Sequence, residues 1–159
     1  MTSDEFAGRI VGMTQTLYRV SCAQLSQGCD REDAVQECLR KAWEKRGRLK
    51  DDRFFQTWLI RILLNECHNM QSRGKRSVLV DQLPEQAAQP ADGEGESLRA
   101  ALFQLTEALR MPILLHYIEG YPVEEVARVL RIPAGTVKSR MARGRRQLRD
   151  MLSEEVFEA

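Results

Sequence analysis

Apolar residues recur along this chain at steps of three and four, and no stretch alternates with the two-residue period of a half-buried strand. The first such pattern predicts a helix over residues 4–25. A second begins near Asp30, where "DRED" places acids at a helix N-terminus and so complements the helix dipole. In "AVQECLRKAWEK" the residues Val35, Cys38, Leu39, Ala42 and Trp43 form an apolar stripe. Asp33, Gln36, Glu37, Arg40 and Glu44 lie on the opposite side and share one exposed face. Residues 47–55, "GRLKDDRFF", read as a loop. A further helix follows from Gln56, with Ile60, Leu63, Leu64, Cys67 and Met70 as its apolar stripe. Trp58, Arg61, Asn65, His68, Ser72 and Arg76 run along another, mostly polar line.

The helical period returns at residue 98. "LRAALFQLTEAL" predicts one helix and "PILLHYIEG" the next, with Pro112 in its first turn and Gly120 as a left-handed terminator. "PVEEVARVL", the short turn "RIPAG" and a final long helix then give the spacing of a helix-turn-helix. Val126, Ala127 and Leu130 can pack on Ile132, Val137 and Met141. In the last helix Val137, Met141, Gly144, Leu148 and Met151 step by four and three, which marks a core stripe. No internal repeat is present. The pattern is all-α: two small helical domains joined by a linker.

Residues 77–97 separate the two halves. They hold five acids, two prolines, two glycines and no Lys or Arg, and read as a flexible acidic linker. The domains therefore span residues 1–76 and 98–159. A composition of 43% hydrophobic and 30% charged residues suits a soluble folded chain. No apolar run approaches the roughly 20 residues of a membrane span, and "MTSDEFAGRI" is unlike a signal peptide, so the expected location is cytoplasmic. The four cysteines form no C-x-x-C pair, and Cys67–His68 has no second pair to complete a metal set. They read as buried or half-buried thiols.

Charge sharpens the last helix. Residues 137–149 carry six Lys/Arg and no acid, although the whole chain has a formal net charge of only +1. A solvated charged face is the ordinary reading of such a run. Here no acid lies between Val137 and Arg149 for i, i+4 pairing, and the run follows directly on a helix-turn-helix spacing. Arginine forks match guanine edges and phosphates. The N-terminal part of such a helix, Thr136, Lys138, Ser139, Ala142 and Arg143, would face bases. Arg145, Arg146 and Arg149 suit phosphates, which position without specifying.

Two blocks together resemble one family. "DREDAVQECLRKAWEK" followed by "FFQTWLIRILLNECHN" is similar to region two of bacterial RNA polymerase sigma factors. "EEVARVLRIPAGTVKSRMARGRRQLRDML" resembles their region four, and the order and acidic linker resemble the extracytoplasmic-function (ECF) group. The resemblance implies a factor that binds core RNA polymerase, directs it to promoters and promotes transcription initiation. It implies that the helix over 30–45 docks on the polymerase clamp helices through Asp33, Gln36, Glu37 and Arg40. Phe55, Trp58, Arg61 and Asn65, with Phe54 nearby, would recognise and help open the minus-ten element. Thr136, Lys138, Ser139, Arg140, Ala142, Arg143 and Arg146 would read the minus-thirty-five element.

Its partners would be core polymerase, promoter DNA and, by resemblance alone, an anti-sigma factor, with no membrane insertion. No P-loop, Gly-rich nucleotide turn, metal set or nucleophile–base pattern points to an enzyme, so no catalytic residue, metal or cofactor is expected. An autonomous helix-turn-helix regulator, and a module whose basic helix binds an acidic partner, remain alternatives from the residues alone. Three positions depart from the family pattern: Arg131 where glycine is usual, Leu105-Thr106 where Leu-Pro is usual, and Gly144 where alanine is common.

Overall fold

The computed structural model describes residues 1–77 and 93–158, and most of the linker expected over 77–97 lies outside the described residues. The chain divides into two units, Met1–Ala87 and Ala88–Ala159. Among the described residues all regular structure is helical. No described helix is long and apolar enough to cross a membrane.

The first unit packs α1 (Ser3–Gln24), α2 (Gly28–Glu44) and α3 (Phe55–Ser77) against one another. Thr2 and Glu5 cap α1 reciprocally, each side chain bonding the other's backbone N–H. The core holds Met13, Leu17 and Val20 of α1, Ala34, Cys38 and Ala42 of α2, and Leu59, Ile60, Leu63, Leu64 and Cys67 of α3. The stripe expected on α2 is rotated. Val35 and Leu39 are only half-buried and Trp43 is exposed, while Arg31, Ala34, Cys38 and Ala42 face inward. Small side chains let α2 lie close on α3, so the larger apolar residues fall to the margins. Arg31 is buried because its guanidinium donates to the carbonyls of Leu25 (2.7 Å) and Ser26 (3.0 Å), the turn that leaves α1. Of the thiols, Cys38 and Cys67 are buried, Cys22 is half-buried and Cys29 is exposed. Burial pushes the Cys38 thiol up to about 12.

The second unit contains α4 (Gly93–Gln104), α5 (Glu107–Ile113), α6 (Val123–Leu130) and α7 (Ala134–Glu158), with a widened π-type turn at Leu114–Ile118. The helix expected to run through residue 109 breaks instead at Leu105-Thr106, and Pro112 lies inside α5 rather than in a first turn. Buried Leu105 anchors the corner, and its carbonyl accepts from the buried Arg110 at 2.9 Å. Pro112 has no N–H for the helical ladder, and the backbone after it takes a five-residue spacing, Glu119 N–H to Leu114 carbonyl at 3.0 Å. Gly120 is left-handed at φ +82°, as the sequence predicts.

α7 packs on α4, α5 and α6 through Val137, Met141, Gly144 and Leu148, all buried. A methyl group at Gly144 would sit 2.4 Å from Ile113 Cδ1 and 3.4 Å from the Leu109 carbonyl, so the end of the Ile113 side chain would have to move to admit it. Between α6 and α7, Arg131 terminates its helix at φ 56°, ψ 46°, the left-handed region that favours glycine. Arg131→Gly is expected to raise the stability of this unit by about 0.5–1 kcal/mol, the left-handed penalty less the entropy glycine adds to the unfolded chain. Thermal unfolding checks it; an unchanged or lowered midpoint would show that the Arg131 backbone carries no strain.

Candidate nucleic-acid interface

α7 combines two opposed faces. With its core stripe fixed by Val137, Met141, Gly144 and Leu148, the remaining positions project away from the unit. Lys138, Ser139, Arg143, Arg145, Arg146 and Arg149 are exposed; Thr136, Arg140 and Ala142 are half-exposed at its margins. The outward side therefore carries positive charge over about three turns, with small Ser139 and Ala142 near the N-terminal end. Ser139 bonds its own helix through the Thr136 carbonyl at 3.1 Å, which leaves its surface low. Such a surface can approach a groove closely and pair with phosphates on either side.

The exposed face of α2 is of different character. Asp33, Gln36 and Arg40 are exposed and Glu37 is half-buried beside them. Arg40 bridges Glu37 and Glu44 in ion pairs at i−3 and i+4. The Arg40 hydrogen bond holds the Glu37 carboxyl below the usual carboxylate range. Trp43, assigned to the core from sequence, stands 40% exposed next to this face. Its ring packs edgewise on Phe6 at 5.3 Å and carries the Arg46 guanidinium 3.7 Å above its centre.

The segment entering α3 is fixed by short local contacts. Asp51 caps the turn Asp52–Phe54 and pairs with Arg53 at 2.8 Å; Arg9 of α1 donates to the Asp52 carbonyl at 2.8 Å. These place Phe54 outward, 37% exposed. Phe55 goes the other way. It is 2% exposed, edge-on to Phe6 at 5.8 Å, under the Arg9 guanidinium and beside Trp58 at 5.9 Å. Phe55 is therefore a core residue and is withdrawn from the set expected to meet DNA. Phe54 is the aromatic at the surface. Two adjacent phenylalanines at a helix start have no period to tell them apart, so sequence could not make that choice. Trp58 and Arg61 are half-exposed and Asn65 is exposed, all on one side of α3.

The sequence matches two families: "Sigma-70 region 2" over residues 13–77 and "Sigma-70, region 4" over residues 95–148. It is 31% identical to the RNA polymerase sigma-H factor of Pseudomonas aeruginosa, over 80% of this chain and 76% of that protein. Identity to the ECF RNA polymerase sigma-E factor of Escherichia coli is 33%, over 73% and 70% of the two chains. Among solved structures it is similar to the sigma factor RpoE, co-crystallised with the anti-sigma factor NepR from Bartonella quintana. That likeness has a TM-score of 0.83 at 27% identity and covers 94% of this chain and 97% of the other.

Proposed function

This chain belongs to the sigma-70 family of RNA polymerase sigma factors, in its extracytoplasmic-function group, and we propose which of its surfaces grips polymerase and which grip DNA. As a sigma factor it binds core RNA polymerase, directs it to promoters and promotes transcription initiation. The α2 face of Asp33, Gln36, Glu37 and Arg40 docks on core polymerase. Trp58, Arg61 and Asn65, preceded by Phe54, engage the opened minus-ten element, where an unstacked base needs an aromatic surface and edge contacts. The outward side of α7, from Thr136 through Lys138, Ser139, Arg140, Ala142, Arg143 and Arg146, reads the minus-thirty-five element as duplex.

The observation that supports this assignment best is the segregation on α7: an unbroken core stripe on one side and, over residues 137–149, a basic surface without acids on the other. The protein acts in the cytoplasm, where its polymerase is, and contributes binding rather than covalent chemistry. An anti-sigma partner is part of the proposal, since the similar RpoE was crystallised with one.

Transcription in vitro with core polymerase and a genomic promoter pool tests the reading. Promoter-specific transcripts dependent on this chain are expected. Failure to bind core polymerase would return it to the class of autonomous helix-turn-helix regulators. Glu37→Lys isolates the docking face. It removes one of the two Arg40 partners and adds a third cation beside Arg40 and Lys41. Affinity for core polymerase in a pull-down should fall about tenfold or more, the scale set by losing one favourable charge contact and gaining a repulsive one. The thermal midpoint should hardly move, because the position lies at the surface. Normal affinity would exclude this face from docking.

A further inference from the structure

Tyr117 lies outside the helix-turn-helix, in the π-type turn Leu114–Ile118, yet it holds an arginine of α7. Its hydroxyl accepts a hydrogen bond from Arg145 Nη1, and the Arg145 guanidinium lies 5.7 Å from the centre of its ring. Both side chains are at the surface; Tyr117 is 51% exposed. The Tyr117 ring is itself braced by His116 at 4.8 Å, and His116 is tied through Nδ1 to the Tyr121 carbonyl at 2.8 Å. The clamp therefore stands on a fixed base.

Helical spacing puts Arg145 in a row with Lys138, Ala142 and Arg149, at steps of four, three and four. A second row, Ser139, Arg143 and Arg146, runs beside it at the same spacing. The first row carries no acid and passes the clamp at Arg145. We propose that Tyr117 is a positioning residue for DNA binding: it presents Arg145 to the sugar–phosphate backbone alongside the minus-thirty-five element, extending the DNA surface beyond α7. The inference rests on α7 being the DNA-reading helix.

The chemistry is that of an ordered cation. A free arginine must give up rotamer freedom when it meets a phosphate, and a side chain already held against a ring gives up less. Arg145 offers five N–H donors and uses one on Tyr117. The tyrosine hydroxyl accepts that bond, and the other N–H groups of the held guanidinium are left for an anion. Such a contact positions the protein without distinguishing bases. A protein surface of polymerase or of an anti-sigma factor is the competing occupant, and its signature differs because it leaves DNA affinity alone.

The test uses holoenzyme made from core polymerase and the full chain, binding a promoter duplex over a series of salt concentrations. A second duplex carries a scrambled minus-thirty-five element. Arg145→Ala should weaken binding to both duplexes equally, about three- to tenfold, and flatten the slope of log affinity against log salt by about 0.9, one phosphate contact. Tyr117→Phe, which keeps the ring and loses the hydroxyl, should weaken binding about twofold alone and add nothing to Arg145→Ala. The conservative variant keeps the test valid if Tyr117→Ala proves unstable.

The proposal is overturned if Tyr117→Phe binds as wild type, if its effect adds to that of Arg145→Ala, or if Arg145→Ala leaves the salt slope unchanged. A loss of core affinity with DNA binding intact would assign the clamp to a protein interface. Arg143→Ala separates the two levels. If it still alters minus-thirty-five preference, only the clamp has failed; if Arg143→Ala and Lys138→Ala both leave affinity and preference unchanged, α7 is not the DNA face.

Discussion

Lys41→Ala is expected to cost the first unit about 2–3 kcal/mol of stability. Lys41 of α2 forms an ion pair with Glu66 of α3, whose residue is 3% exposed. Stripping one partner from a buried pair strands the other charge, at about 3–5 kcal/mol; the partial exposure of Lys41 screens the site and lowers that figure. The cost should be asymmetric. Glu66→Gln leaves the lysine, whose flexible stem can reach water, and should be milder. Lys41→Met with Glu66→Leu strands no charge and should return to within about 1 kcal/mol of wild type. Urea unfolding followed by tryptophan fluorescence reads this unit selectively, since both tryptophans, Trp43 and Trp58, belong to it. Equal midpoints for Lys41→Ala and wild type would show the pair to be energetically idle.

Arg143→Ala is expected to weaken binding to the preferred minus-thirty-five element by about 1–3 kcal/mol and to flatten preference at one base position, the worth of a bidentate base contact. Arg143 is exposed and lies in the first half of α7, where recognition helices meet base edges. Arg146→Ala, one turn further, should instead weaken all sequences alike and reduce the salt slope by about 0.9. A promoter library transcribed or bound by each variant distinguishes the two. Retained preference after Arg143→Ala would move specification to Lys138 and Ser139.

These two effects differ in how far sequence alone could reach them. The basic side of α7 was legible because its core stripe is regular and its charges have no acids among them. Four stripe positions from Val137 to Leu148 are buried as the spacing requires. The Lys41–Glu66 pair was not legible. Nothing in either helix says that residues 25 positions apart will face each other across a packed interface. The face of α2 was legible in its polar half and misread in its apolar half. A hydropathy pattern weights Trp43 and Leu39 as core, whereas close packing selected Ala34, Cys38 and Ala42.

Sequence by itself determined that this chain is helical throughout its periodic segments, that an acidic stretch separates two helical blocks, and that its last helix is split between a core stripe and a basic surface. Those properties are local: they depend on period, composition and capping within a dozen residues. Only the tertiary structure decided that Phe55 is buried and Phe54 is not, that the chain turns at Leu105-Thr106 while Pro112 is carried inside a helix, that Arg31 is spent on backbone carbonyls, and that Tyr117 reaches Arg145. Each of these is a choice between neighbours of similar chemistry, or a meeting of residues far apart in the chain. Such choices are made by which surfaces fit together once the helices pack.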